Sequence, residues 1–113
     1  MKDKKVYLQD IVDSIELIEK YIENISLEDF EKNYQLQDAV ARRFEIIGEA
    51  SKRLSDDFWL KNPQVPWNKI VGMRNFISHE YDSVKNDTVL KTCHEDLPAL
   101  KKQIKEIIKN YQY

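Results

Sequence analysis

Apolar residues recur along the first part of the chain in steps of three and four: Leu8, Ile11, Ile15, Ile18, Ile22 and Ile25. That spacing returns to one face of an α-helix and predicts an amphipathic helix over roughly residues 5–24. The segment "ENISLED" interrupts the stripe. Within it Ser26 stands three residues before Asp29, a capping-box spacing with Asp in place of the usual Glu, and predicts a short helix through Phe30. A second stripe, Leu36, Val40, Phe44, Ile47 and Ser51, predicts a long helix over roughly 35–54. Gly48 falls close to this face. A mid-helix glycine costs about 1 kcal/mol relative to alanine, so a neighbouring helix is expected to approach closely there.

"SDDFWLKNPQVPW" (55–67) reads as the longest irregular stretch. Asn62-Pro63 forces a turn, and Pro66 suits the first turn of a following helix over roughly 66–81. Trp59 and Trp67 bracket the proline loop and are expected to anchor it; stacking on a nucleic-acid base is the less favoured role. The last helical region spans roughly 87–110, with a break or kink near Asp96 imposed by Pro98. Beyond it, Leu97, Leu100, Ile104, Ile107, Ile108 and Tyr111 form another stripe. The pattern predicts an all-α fold, an antiparallel bundle of four main helices plus short ones, in one domain covering residues 1–113.

Composition supports this reading. Two glycines and three prolines in 113 residues leave little turn punctuation, hence long elements. Hydrophobic residues at 42% and charged residues at 34% suit a folded domain with a solvated surface and argue against disorder. Cys93 is the only cysteine, so no disulfide can close within the chain, and a reducing cytoplasm is the expected location. The N-terminal "MKDKKVYLQD" has no apolar core of a secretory signal, and no apolar run approaches a membrane span. A formal charge of −2 gives no global attraction for nucleic acid, so any such contact relies on a local basic patch.

The candidate chemistry gathers in "RNFISHEY", Arg74 to Tyr81. Turning about 100° per residue from Ile70 groups Ile70, Met73, Ile77 and Val84 as the core face. Asn75, Ser78 and Asp82 fall on the opposite side, Arg74 and Tyr81 flank one edge of this polar strip, and His79 flanks the other. Arg74 and His79 are thus about 140° apart with about 7.5 Å of axial rise between them. One helix cannot easily close such a pair on one small reacting centre. Two copies packed antiparallel about a two-fold axis can bring Arg74 of one chain near His79 of the other, which predicts a composite site in a homodimer.

The residue types suit phosphate chemistry. Arginine offers a permanently charged planar fork for phosphate oxygens. Histidine moves protons near neutral pH. Together they can cleave RNA without a metal or cofactor, with Asn75 and Ser78 orienting the imidazole or the phosphate. Set against this, an Arg and a His five apart on a helix are most often solvated surface, and Tyr81 is more often a half-buried packing residue. Arg42-Arg43 and Lys52-Arg53 form basic patches that can hold RNA phosphates, though such clusters are commonly ordinary solvated faces. Glu49 can position Arg74 from the neighbouring helix or form a surface ion pair. Cys93-His94 makes a poor metal site without further ligands.

Three stretches carry a family resemblance: "AVARRFEIIGEASKRLS" (39–55), "PWNKIVGMRNFISHEY" (66–81) and "CHEDLPALKKQIKEI" (93–107). In this order they resemble HEPN-domain proteins of the HepT-like group, the toxin half of a bacterial toxin–antitoxin pair, over nearly the whole chain. The arginine–four residues–histidine pattern is weak alone; with "IIGEA" before it and "DLPAL" after it, it is specific. The resemblance implies a metal-independent ribonuclease, dimeric, with two motifs facing each other across the interface. It assigns Arg74 and His79 as the defining pair and Asn75 as the polar residue following the arginine. It implies that Tyr81 receives AMP from a partner, a minimal nucleotidyltransferase antitoxin of the MntA type. The alternative within the wider superfamily is a non-catalytic helical module that binds the nucleotidyltransferase and a nucleotide.

Overall fold

The structure, a computed structural model, describes residues 3–78 and 83–111, and the side chains among them outside 74–85. The described residues form helices α1 (Lys4–Tyr21), α2 (Leu27–Lys32), α3 (Tyr34–Lys52), α4 (Asp56–Lys61), α5 (Trp67–Ser78) and α6 (Ser83–Asn110), with no strand among them. The all-α expectation holds, and α1, α3, α5 and α6 are its four long elements.

Side chains that bond free backbone N–H groups set the helix starts. The Ser26 hydroxyl accepts from Asp29 N at 3.1 Å, as the capping-box spacing predicts. Asp3 caps α1 through Lys5 N at 2.9 Å, and Asn33 caps α3 through Leu36 N at 3.0 Å. A Ser, Asp or Asn in this position accepts a bond that the helix itself cannot supply.

The stripe on α1 is buried as expected, with Leu8, Ile11, Ile15 and Ile18 each fully enclosed. Val12 and Ser14 are enclosed as well, because α1 packs against α3 on one side and α6 on the other. On α3, Val40, Phe44, Ile47, Gly48 and Ser51 are buried, and the Ser51 hydroxyl donates back to Ile47 O at 2.8 Å. Ion pairs give the direction of α6. Lys101 Nζ donates to Glu19 Oε1 at 2.6 Å, and Lys105 lies 3.4 Å from Glu16. Rising numbers on α6 meet falling numbers on α1, so these helices are antiparallel. Gln103 Nε2 on Gln64 O and Lys69 on Asp96 give α5 the same sense against α6.

Two expectations need correction. The stretch 55–67 is not wholly irregular, because Asp56–Lys61 forms α4. Ser55 starts it, accepting from Phe58 N at 3.4 Å, with two acidic residues in the first turn that suit the positive end of the helix. Ser55 does so at φ 85°, a left-handed conformation that lets the chain turn sharply out of α3. Of the break or kink expected near Asp96, the break is absent, since α6 runs unbroken from Ser83 to Asn110 through Pro98. The carbonyl that Pro98 leaves without a donor belongs to His94, one turn earlier. Both residues are exposed, so water can donate to that carbonyl in place of the missing N–H. Leu97, Leu100 and Ile104 meanwhile hold the helix to the core from its other face.

Cys93 and His94 point different ways, the thiol buried at 1% exposure and the imidazole in solvent. Burial in apolar surroundings pushes the Cys93 thiol up from its ordinary value near 9 to about 12. We therefore expect Ellman's reagent to leave the native protein unlabelled at mildly alkaline pH and to react with one thiol per chain after unfolding. The folded value is raised, so the contribution of the protonated thiol to stability is full below pH 9 and is lost as pH climbs towards about 12. Rapid labelling of the native protein would contradict this placement.

Candidate functional site

Helix α5 is fastened before it reaches the motif. Ile70 N donates to Pro66 O at 3.1 Å, which places the helix start beside the proline, as its fixed φ favours. Trp67 is 4% exposed, and its indole N–H donates to Asn62 O at 2.9 Å. Ile70 and Met73 are both buried against the core, at 1% and 4% exposure. Both of these core-face assignments therefore stand, while the Ile77 and Val84 side chains lie outside the described ones.

The tryptophans anchor the loop, as their positions predict. Their rings stack at 5.9 Å between centroids and 6° between planes. Trp59 Nε1 donates to Ser51 O at 2.9 Å and so satisfies a carbonyl in the last turn of α3. Phe58 meets Trp67 edge-on at 6.1 Å. Asn62 Nδ2 closes the end of α4 on Phe58 O at 2.9 Å. Four aromatic and amide groups thus hold the entry to α5.

Arg74, Asn75 and Ser78 all belong to α5, Trp67–Ser78. Arg74 follows Met73 directly and stands about 40° around the helix from Ile70, beside the buried face. Trp67 precedes Arg74 by seven residues, so the two share a stripe, offset by about 20° with about 10.5 Å of rise. His79 and Tyr81 lie outside the described residues.

The basic pair on α3 is divided. Arg42 is exposed, and Arg43 is half-buried. Arg42 lines a cavity of about 290 Å3 between α1 and α3, together with Tyr7, Asp10, Glu49 and Arg53. Two carboxylates share that cavity with two guanidinium groups, which tempers its pull on an anion. Glu49 lies there too, on the α1 side of α3. Among the described residues no cluster of His, Cys, Asp or Glu could hold a metal ion, and no helix is long and apolar enough to cross a membrane.

The pattern of stripes missed α4, its Ser55 cap and the Asn33 cap. Ser55 followed by two aspartates was a usable start signal; the nearby prolines outweighed it.

The family model for HepT-like ribonucleases matches residues 11–107. The chain belongs to the HepT-like family. It is 41% identical over 108 residues to a protein named "Probable ribonuclease HepT" in Thermococcus cleftensis, covering 96% of this chain and 98% of the relative. A relative named as a candidate RNase in Caldanaerobacter subterraneus is also 41% identical, over 96% of both chains. Another candidate RNase, from Methanocaldococcus jannaschii, is 37% identical, over 91% of this chain and 94% of its own. No solved structure matches the chain. The family match extends from α1 to near the end of α6, so it takes in the whole helical frame as well as the motif. A HepT-like chain of this kind is all-α, as the structure shows.

Proposed function

We propose that this HepT-like protein is an endoribonuclease that cleaves RNA without a metal, and that it is the toxin of a toxin–antitoxin pair. What carries the reading is Arg74 on a helix locked to the core by Trp67, Ile70 and Met73, in a chain of a family whose relatives are named ribonucleases. A charge that must meet a developing phosphorane works best when it does not have to be repositioned during the reaction.

In the proposed step the substrate's own 2′-hydroxyl attacks the adjacent phosphorus. His79 takes the hydroxyl proton as the P–O2′ bond forms, or delivers a proton to the departing 5′-oxygen as the P–O5′ bond breaks. Arg74 holds the non-bridging oxygens, where negative charge builds. The products are a 2′,3′-cyclic phosphate and a free 5′-hydroxyl, with no redox change. Asn75 and Ser78 orient the reacting groups. Arg42 and Arg43 provide further backbone contacts, which position the strand without reading its sequence. On a helix continued through His79, the wide angle from Arg74 favours a homodimer that completes the site across its two-fold axis. Purified protein should cleave single-stranded RNA equally well with and without EDTA, leaving cyclic phosphate ends. Loss of activity on chelation would refute the metal-free mechanism.

Control by a minimal nucleotidyltransferase partner follows from Tyr81, seven residues after Arg74 and, on a continued helix, on the same stripe. AMP attached there brings a phosphodiester charge that would occupy the guanidinium at high effective concentration and repel an incoming RNA backbone. Co-expression with the partner and ATP should add mass in AMP steps to the peptide containing Tyr81. Tyr81→Phe should keep cleavage and escape silencing. Equal silencing of Tyr81→Phe, with no adduct on the wild type, would leave binding alone as the means of control.

A further inference from the structure

A groove of about 610 Å3 runs over the stacked tryptophans, lined by Trp59, Leu60, Pro63, Pro66 and Trp67, with Asn68 and Lys69 on the α5 side. Trp67 is the buried plate of the stack at 4% exposure, and Trp59 is the half-buried outer one. Leu60 beside it is 77% exposed, an unusual placement for a large aliphatic side chain. We propose that this groove is a stacking subsite for an unpaired base of the RNA strand whose phosphate sits at Arg74. The assignment rests on the ribonuclease reading and extends it to substrate selection.

Position decides the occupant. The groove opens at the start of the helix that carries Arg74, and Trp67 shares a stripe with that arginine about two turns away, or about 10.5 Å. A short run of single-stranded nucleotides bridges such a distance, whereas a duplex keeps its bases stacked on one another and cannot offer one. Both indole N–H groups are already donated, to Ser51 O and Asn62 O, each at 2.9 Å. Those bonds hold the rings in place before any ligand arrives and leave a π surface with no donor to select one base. Lys69, 63% exposed and 3.4 Å from Asp96, gives the rim a cation for the strand's backbone. Asp56 also lines the groove, so attraction comes from stacking more than from charge. The subsite therefore favours single-stranded RNA with little preference among bases.

The chain's two tryptophans are the two in this stack, so indole emission reports on the groove alone. The probe is a 2′-O-methyl oligouridylate of about ten nucleotides, within the length that single-strand sites cover, whose blocked 2′-oxygen prevents cleavage. It should quench the emission saturably, and its duplex with oligoadenylate should not. Trp59→Leu should weaken binding of the labelled probe about 5- to 100-fold, in line with the loss of one base–aromatic stack. Trp59→Phe should recover most of that loss. Leu60→Glu, at a site too exposed to matter for folding, should weaken binding while leaving the melting temperature unchanged. The subsite is overturned if the wild type binds the probe and cleaves RNA, yet emission stays constant and Trp59→Leu and Leu60→Glu bind as the wild type does. Quenching by a polyproline peptide but not by the probe overturns it too, and assigns the groove to a protein partner. Absence of both RNA binding and cleavage in the wild type sinks the ribonuclease reading itself, and the subsite with it.

Discussion

Alanine at His79 is expected to lower RNA cleavage about 10²–10⁴-fold, the usual worth of a positioned general acid or base. Alanine at Arg74 should cost about 10²–10³-fold, as the loss of a preorganised group facing developing charge does elsewhere. Neither change should unfold the domain. The residues that fasten α5 are Trp67, Ile70 and Met73, which remain in place. The proposed site, shared between the two subunits of a homodimer, makes a further demand. Mixing the two inactive variants creates heterodimers in which one composite site lacks both groups and the other retains both. Random exchange of equal amounts yields half heterodimers, each with one live site of two, so activity should return to about a quarter of wild type in a two-fold dimer. No recovery after demonstrated subunit exchange would place Arg74 and His79 of the same chain in one site. Undiminished cleavage by either single variant would remove it from the mechanism.

Phe44→Ala is expected to be the most damaging change in the core. Phe44 is fully buried on α3, the helix that packs against both α1 and α5. Truncating a buried phenylalanine loses its transfer energy and leaves a cavity, at a cost of about 3–5 kcal/mol. A domain of this size has about 5–15 kcal/mol in total, so the melting temperature should fall by roughly 10–20 °C. Activity should fall with it near physiological temperature, because α3 is the surface against which α5 is held. Leu60→Ala, at 77% exposure, should change stability by less than about 0.5 kcal/mol. Urea titration of the two variants tests the contrast. A loss below about 1 kcal/mol for Phe44→Ala would mean that this part of the core repacks freely.

The stripes on α1, α3 and the C-terminal half of α6 could be read directly, since burial of one helical face leaves a three-and-four spacing in the chain. The same periodicity placed Ile70 and Met73 inward and so put Arg74 beside the buried face. α4 leaves no stripe in the chain, because six residues are too few for one, and the prolines beside it mark the stretch as irregular. The continuity of α6 was also hidden. A proline forfeits one helical bond wherever it occurs, and whether the helix survives depends on what the orphaned carbonyl faces.

By itself, then, the sequence determined the helical class, the inward faces of the long helices and the identity of the chemical groups at 74–81, because each follows from local spacing or residue type. Tertiary structure alone decided which helices meet, that α1 is covered on two sides, and that Trp59 of α4 stacks on Trp67 at the start of α5. Those facts depend on pairs brought together from separate elements, such as Trp59 with Ser51 and Lys101 with Glu19. Contacts of that kind arise from the closure of the loops and the competition among apolar faces for one core, and they leave no period in the chain.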